Sequence, residues 1–400
     1  MMTMEIILLA LLAVLAIPVL VLLVQALVAV STSRQPVTLI GRRPKIAVLV
    51  PAHNEAKGIA ATVTLIRSQL MEEQGDCIVV VADNCSDATA SSAVAAGAIV
   101  LERRDEVRRG KGYALDYGVR YLADSANGHA PDAVIFIDAD CIVLPGSIDL
   151  LARMAIASQR PVQALDLMRA PRGSSLKLRI AEFAWVVKNR VRPLGFHLLG
   201  LPCQLMGTGM AFPWSLIAGA ELATGHIAED MKLGIGMAKA GVAPLFCPDA
   251  CVISYFPVGD EAARAQRTRW EHGHLSMIVS EGWPLLRHGI ARRDRTLIAM
   301  ALDMCVPPVA LLTLLVLGAF AVMLGVRIAT GVHAPLAMAA AIFGALFAAV
   351  FLSWMRFGRS IVSFGDLLAA LGYAFWKVPL YLKFLVSRQV EWVRAKRDAD

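Results

Sequence analysis

Lys45-Ile-Ala-Val-Leu-Val-Pro-Ala-His-Asn-Glu55 is a short apolar run, rich in β-branched residues, that ends abruptly in a polar loop. Behind it Ile59, Val63, Ile66 and Leu70 recur at helical spacing, so the stretch predicts a strand, a loop and a helix in succession. The theme returns twice. Cys77 to Ala82 carries Ile-Val-Val-Val into Asp83-Asn-Cys-Ser-Asp87, and Ala133 to Ile137 runs into Asp138-Ala-Asp140. Fully apolar strands separated by helices belong in a parallel sheet covered on both faces, which makes the fold class α/β. Ligands of such sheets bind beyond the carboxyl ends of the strands, where all these polar clusters fall.

Working outward, the 400 residues are 57% apolar and 18% charged, with a mean hydropathy of +0.60. That is too apolar for an ordinary soluble enzyme and too charged for a pure membrane bundle, so a soluble domain joined to membrane segments is expected. Ile6 to Val30 is an almost unbroken apolar run, long enough to cross about 30 Å of hydrocarbon. No Lys or Arg precedes it, whereas Arg34, Arg42, Arg43 and Lys45 follow. This weighs against a signal peptide and places its C-terminal side in the cytoplasm. Leu297 to Val326 and Pro335 to Met355 are two further spanning candidates, the first expected to kink at Pro307-Pro308 with Asp303 near its cytoplasmic entrance. Phe364 to Val386 reads as interfacial or re-entrant, with Lys377 and Lys383 snorkelling, because a crossing would leave Arg388, Arg394, Lys396 and Arg397 outside. The expected divisions are an N-terminal span (1–31), a basic linker (32–44), an α/β domain (45–259), an interfacial segment (260–296), two spans (297–355), and an interfacial or re-entrant helix with a basic cytoplasmic tail (356–400).

Seven cysteines show no paired metal spacing and no secretory framework. Cys247-Pro-Asp-Ala-Cys251 has no second ligand pair and reads as small semi-buried residues. The net charge of +7 forms no basic stripe interleaved with aromatic residues. Anionic lipid and a nucleoside diphosphate therefore fit better than nucleic acid. The first strand leads into Pro-Ala-His-Asn-Glu and not into a Gly-x-Gly-x-x-Gly turn, which argues against a nicotinamide enzyme, and a P-loop is absent too.

Each polar cluster has a plain structural reading beside a chemical one. Asp83-Asn-Cys-Ser-Asp87 suits a turn and a helix cap. Two acids at alternate positions past an apolar strand, Asp138 and Asp140, lack an obvious structural purpose and suit a hard divalent cation bridging phosphate oxygens. The glycine-flanked Lys111 of Arg109-Gly-Lys111-Gly is either a solvated turn lysine or a phosphate contact at a helix start. Glu229-Asp230 opens a helix that ends at Gly241, where acids are ordinary dipole partners. Gln266-Arg-Thr-Arg269-Trp270 fits an amphipathic basic helix with an interfacial Trp. Leu176, Ile180, Phe183 and Val187 share a helical face flanked by Lys177, Arg179, Lys188 and Arg190, as expected of a helix in the headgroup plane, with a core helix as the rival.

Taken in order, Asp83, Asp138-Ala-Asp140, Glu229-Asp230 and the complete Gln266-x-x-Arg269-Trp270 resemble the signature of membrane-bound family 2 glycosyltransferases, the group that contains cellulose, chitin, hyaluronan and poly-N-acetylglucosamine synthases. The likeness runs from about Lys45 to Trp270. It implies a GT-A-type nucleotide-sugar-binding domain with a mostly parallel sheet, flanked by transmembrane helices. It implies a UDP-sugar donor held by Pro51, Ala52, Asn54, Glu55, Asp83, Lys111, Asp138, Gln266 and Arg269, with Mg2+ or Mn2+ on Asp138 and Asp140. Asp230 would be the catalytic base with Glu229 beside it, and Gly207, Thr208, Gly209 and Trp270 would meet the acceptor. One displacement on the anomeric carbon would invert it. His53 replaces an aromatic residue frequent in the family, and Ala228-Glu-Asp replaces Thr-Glu-Asp, losing a hydroxyl but neither carboxylate. The implied setting is exopolysaccharide or surface-glycan synthesis in a bacterial inner membrane, with the catalytic domain in the cytoplasm. Membrane lipids, export or polymerisation proteins and a second copy of the chain are the expected partners. The rivals are a single-sugar transferase acting on a lipid carrier and, more remotely, an inactive scaffold.

Overall fold

The computed structural model describes residues 2–31, 42–124, 130–257 and 260–386. Eight strands form one sheet: β1 (Ile46–Ala52), β2 (Cys77–Asp83), β3 (Ile99–Arg103), β4 (Ala133–Phe136), β5 (Ile142–Val143), β6 (Val162–Arg169), β7 (Met210–Pro213) and β8 (Leu245–Tyr255). Their order is β3-β2-β1-β4-β7-β6-β8-β5. β1 runs parallel to both β2 and β4, and β2 to β3, whereas β7 is antiparallel to β4 and β6. β6 and β8 are parallel again.

The helices before Glu229 are α1 (Met2–Ser31), α2 (Ile59–Arg67), α3 (Thr89–Ala95), α4 (Lys111–Asp124), α5 (Ser147–Ser158), α6 (Leu176–Val186), α7 (Arg192–Leu198) and α8 (Trp214–Ile217). From there on come α9 (Glu229–Lys239), α10 (Asp260–Met277), α11 (Trp283–Arg292), α12 (Arg295–Met304), α13 (Val309–Thr330), α14 (Ala334–Ser353), α15 (Phe364–Trp376) and α16 (Val378–Val386). The alternation of side chains along β1 explains its apolar run. Ile46, Val48 and Val50 face Ile59, Val63 and Ile66 of α2 and Leu151 of α5. Ala47 and Leu49 face Leu115, Val119 and Leu122 of α4. All five strand residues are fully buried, each worth about 1.5–3 kcal/mol for the larger side chains, so the sheet is the rigid floor beneath the loops.

Three helices are long and apolar enough to cross a membrane: Met2–Ser31, Val309–Thr330 and Ala334–Gly358. They pack on the β6–β8 part of the domain, where Leu22 and Ala26 of α1 join Leu346 of α14, Ile180 and Phe183 of α6, and Leu167 and Phe246 of the strands. The apolar face of α6 is thus covered by protein helices, the outcome expected of a core helix. α7 lies against α1 so closely that a Cβ on Gly195 would stand 2.2 Å from the Gln25 carbonyl oxygen.

Other expectations are corrected. The run Leu297 to Val326 is not one helix: it breaks between Met304 and Val309, at Pro307-Pro308. Its first part, α12, is buried against Met231, Ile235 and Ala238 of α9. Asp303, near the end of α12, is clamped by Arg192 and by Gln25 Nε2, 2.8 Å away. Phe364 to Val386 divides into α15 and α16, each shorter than the ~20 residues a span requires. Lys377 turns inward onto Glu271 instead of snorkelling. Arg43 is no linker cation either, since it is buried between Asp76 at 2.6 Å and Asp149 at 3.2 Å. Arg34 and the tail cations Arg388, Arg394, Lys396 and Arg397 lie outside the described residues.

Candidate active site

The polar rim is built where β1, β2 and β4 end. β1 finishes with Pro51 and Ala52, and the chain leaves it through Asn54 at φ 54°; after β2 it turns through Asn84 at φ 53°. Asparagine tolerates this left-handed backbone better than most residues, which accounts for its presence at both strand ends. The two loops are laced together. Asn54 Oδ1 accepts from the Ser86 amide at 2.8 Å, Thr89 Oγ1 from the Glu55 amide at 2.7 Å, and Asp87 Oδ2 from the Ala56 amide at 3.1 Å. Asp83 is buried, with Arg103 donating to Oδ1 at 2.6 Å and Asn84 Nδ2 to the same oxygen at 3.0 Å. With β1 between their strands, the Asp83 and Asp138 stations stand two strand spacings apart, about 10 Å.

Lys111, at the start of α4, joins the second half of the site. Its ammonium pairs with Asp138 Oδ1 and donates to the Gly207 carbonyl at 2.9 Å. Lys111, Glu229 and Asp230 line one pocket with Met210, Leu222 and Leu233, a space of about 20 Å³, room for roughly one water. A Cβ on Gly207 would come to 3.4 Å from Asp230 Oδ2 and 3.6 Å from Lys111 Nζ, so glycine keeps that surface open. Gly209, at φ +66°, carries the chain into β7 where a Cβ would come to 2.7 Å from that of Ala164. Between them Thr208 is buried; its hydroxyl accepts the Asp138 amide at 3.0 Å and meets Cys141 Sγ at 3.3 Å. Thr208 thus shapes the Asp138 station from behind.

Electrostatics couple these groups. Burial opposes the Lys111 charge, yet Asp138, Glu229 and Asp230 outweigh it and hold the ammonium well above its ordinary pKa. Burial raises Glu229, and the neighbouring Asp230 charge raises it further. Burial also raises Asp230, against the Met231 amide and the Lys111 and Lys188 cations, which favour its ionised form.

Three neighbours of this site, Asp166, Gln163 and Trp185, went unmarked in the sequence, and Lys188 was marked only as a flank of a basic helix. Asp166 on β6 is buried, pushed up to about 7 by burial, and accepts from Asn189 Nδ2 at 2.9 Å while Oδ1 has no partner. Lys188 sits 5.0 Å above the Trp185 ring, and burial pulls its ammonium below the ordinary lysine range against the favourable charges of Asp230 and Asp166. Gln163 is fully buried and holds the loop before β7 through the Met206 amide and the Thr208 carbonyl. Trp185 donates from Nε1 to the Asp166 carbonyl at 3.2 Å. A one-turn π-helix over Val187–Val191 directly follows α6, and this widened turn carries Asn189. The expected headgroup helix pointed to this region only through Lys188.

On α10, Trp270 stacks obliquely on Trp185, 4.8 Å between centroids, with Phe256 edge-on to Trp185 at 6.4 Å. Gln266 lies one turn earlier, with its side-chain oxygen buried and unpartnered, and Arg269 is partly exposed beside Trp270. The structure therefore brings Lys111, Asp138, Gly207, Glu229 and Asp230 together, and sets Asp83 with Asn54 and Glu55 along the same rim. Asp140 is exposed just past Asp138. Among the described residues no group of three or more His, Cys, Asp or Glu forms a metal-ligating cluster.

The architecture is shared with known proteins. Superposition on the mannosyltransferase PcManGT from Pyrobaculum calidifontis, solved with GDP-Man and Mn2+, gives a TM-score of 0.55 at 19% identity, covering 87% of this chain and 98% of that one. Glucosyl-3-phosphoglycerate synthase from Mycobacterium tuberculosis, solved with Mn2+, UDP-glucose and phosphoglyceric acid, overlaps less: TM-score 0.31, 22% identity, 51% of this chain and 69% of that one. No curated protein sequence matches the chain. A family model described as glycosyltransferase-like family 2 matches residues 44–273, more than half of the molecule, and ends just past Trp270. The sheet, its polar rim and this match agree, and the chain belongs to glycosyltransferase-like family 2, enzymes that use nucleotide sugars.

Proposed function

We propose that the protein is an inverting, membrane-bound transferase that moves a sugar from a UDP-sugar to a glycan or lipid-linked acceptor, in the manner of the polysaccharide synthases its signature resembles. The observation that carries this reading is the bridge made by Lys111: one ammonium touches the Asp138 station and the Gly207 loop, and its charge is held by the Glu229–Asp230 pair. Phosphate chemistry and proton chemistry are thereby confined to one rim.

Asp83, with Asn54 and Glu55 along the same edge, suits the nucleoside. Asp138 and Asp140 offer hard carboxylate oxygens that would suit Mg2+ or Mn2+, its coordination completed by substrate phosphates and water. Bound there, the ion would neutralise charge on the departing diphosphate. Lys111 adds a second positive charge in a recessed site, where it counts for more than in water. Asp230 takes the proton of the acceptor hydroxyl as that oxygen attacks the anomeric carbon, and burial, together with the Asp138 charge, raises its basicity. Arg269 and Gln266 suit the diphosphate, and Trp270, fixed by Trp185, gives the acceptor sugar an apolar face.

A second reading, single-sugar transfer to a lipid carrier, is favoured by one observation: among the described residues three helices are long and apolar enough to span, a small wall for a polymer channel. Purified full-length protein incubated with a panel of UDP-sugars and Mn2+ should release UDP with at least one of them, and sizing the product separates polymer from single addition. Release of no nucleotide from any UDP- or GDP-sugar would overturn both readings.

A further inference from the structure

One residue beyond Met168, which packs with Trp185 and Trp270, Arg169 borders a second cavity, much larger than the space beside Lys111. Its volume is about 410 Å³, and its walls are the loop between β6 and α6, the first turns of α6, and Ser360 and Ile361. Arg169, Arg172 and Arg179 all line it. Glu182 pairs with Arg169 at 3.0 Å, and Asp366, at the start of α15, pairs with Arg179 at 3.0 Å. Arg172 is exposed and among the described residues makes no ion pair. Three guanidiniums set against two carboxylates leave one cation in excess. The pocket is built for an anion, and guanidinium forks match phosphate oxygens in particular.

Its depth in the molecule says which anion. Ser360 and Ile361 follow directly on the Ala334–Gly358 helix, one of the three able to span. α15, which begins at Phe364, keeps Phe364, Leu368, Leu371 and Phe375 exposed, an apolar face like that of a helix seated among acyl chains. A positive cavity therefore opens at the end of an apolar span beside an apolar helix face, where lipid phosphates lie. A free phosphate would use the arginines but not the adjoining apolar surface. The cavity shares no lining residue with the pocket of Lys111, Glu229 and Asp230.

We propose that this cavity binds the headgroup phosphate of an anionic membrane lipid, with Arg172 supplying the uncompensated guanidinium and the acyl chains lying along α15. The proposal rests on the membrane reading and is independent of the sugar donor. The test uses full-length protein in neutral detergent, offered phosphatidylglycerol, phosphatidylcholine of the same acyl chains, or inorganic phosphate, with retained lipid read by native mass spectrometry and melting by calorimetry. Phosphatidylglycerol should be retained in preference to phosphatidylcholine, and Arg172→Glu should lower its retention roughly fivefold or more, the scale of one arginine near an anionic lipid surface. Arg172→Gln should fall between, and Arg120→Glu, a change at an exposed arginine of α4, should match the parent. Equal retention of the two lipids by the parent, or parent-like retention by Arg172→Glu that melts normally, would overturn it. So would a thermal shift from millimolar inorganic phosphate equal to that from phosphatidylglycerol, which would make the cavity a free-anion site.

Discussion

Lys111 holds the candidate site together at the scale of single residues, and its neighbours differ in what their loss should do. Asp230→Asn keeps the size of the side chain and removes the base, so donor affinity by calorimetry should stay within a few-fold while transfer falls by on the order of 10² or more. Abolished donor binding, or transfer at the parent rate, would make Asp230 a donor ligand or a cap and move attention to Glu229. Asp138, Lys111 and Asp230 were legible in the sequence because each follows an apolar strand or opens a helix at a recurring place in the chain. Asp166 was not: a lone acid inside Val-Gln-Ala-Leu-Asp-Leu-Met carries no local sign that Asn189 and Lys188 will face it. Its chemistry yields a pH prediction. A carboxyl whose pKa rises on folding helps stability in acid and loses that help as pH climbs through about 7, when the buried group must ionise. Asp166→Asn should therefore melt above the parent at pH 8, by roughly 2–4 °C for each kcal/mol relieved, with the gain shrinking toward pH 5. A variant melting below the parent at pH 8 would show that the charge is held by a partner instead of endured.

The elements show where periodicity stops informing. α10 presents two faces: Trp270 toward Trp185, and Arg267 with Glu271 toward α15 and α16. Arg267 stands 5.8 Å from the Tyr373 ring and 5.7 Å from that of Trp376, and His272 meets the Leu380 carbonyl at 3.2 Å. The last two helices therefore brace the Gln-x-x-Arg-Trp helix from behind. Lys377 looked like a snorkelling cation because its partner lies 106 residues earlier in the chain, a distance over which hydropathy carries no signal. The same blindness joined α12 to α13, since α12 buries its apolar face against α9 while α13 is apolar all round. Only the prolines marked the division. Both members of the Glu271–Lys377 pair are nearly buried, so leaving one unpartnered should cost about 3–5 kcal/mol. Glu271→Gln should accordingly lower the melting temperature and weaken transfer by loosening Trp270. Glu271→Gln combined with Lys377→Met should recover most of the stability, and a double variant no better than the single would mean that the pair contributes little.

For the whole molecule, the sheet and the long apolar helices form one packed body joined by buried polar contacts as well as apolar ones. Arg192 of α7 donates to Asp303 of α12 at 2.9 Å, and Gln25 of α1 donates to the same carboxylate at 2.8 Å. With the three apolar helices set in a bilayer, a catalytic domain fastened in this way would hold its rim at a fixed height above it, which would suit an acceptor delivered from the membrane. The apolar runs at either end were plain in the sequence, because lipid demands long uninterrupted stretches. The clamp was not, since it joins three elements distant in the chain. Orientation follows from the same packing. α13 and α14 form a hairpin whose turn, Gly331 to His333, is the end remote from Arg356, while Arg42 leads straight into β1. Arg42 and Arg356 should share the side of the catalytic domain, in keeping with the bias of Arg toward the cytoplasm, and His333 should face the opposite compartment. A membrane-impermeant maleimide applied to intact cells should label His333→Cys and spare the parent, Arg42→Cys and Arg356→Cys, which should react only after lysis. Labelling of Arg356→Cys from outside, with His333→Cys protected until the cells are broken, would invert the topology and put the sugar-transfer rim on the outer face, where no cytoplasmic nucleotide sugar could reach Asp83.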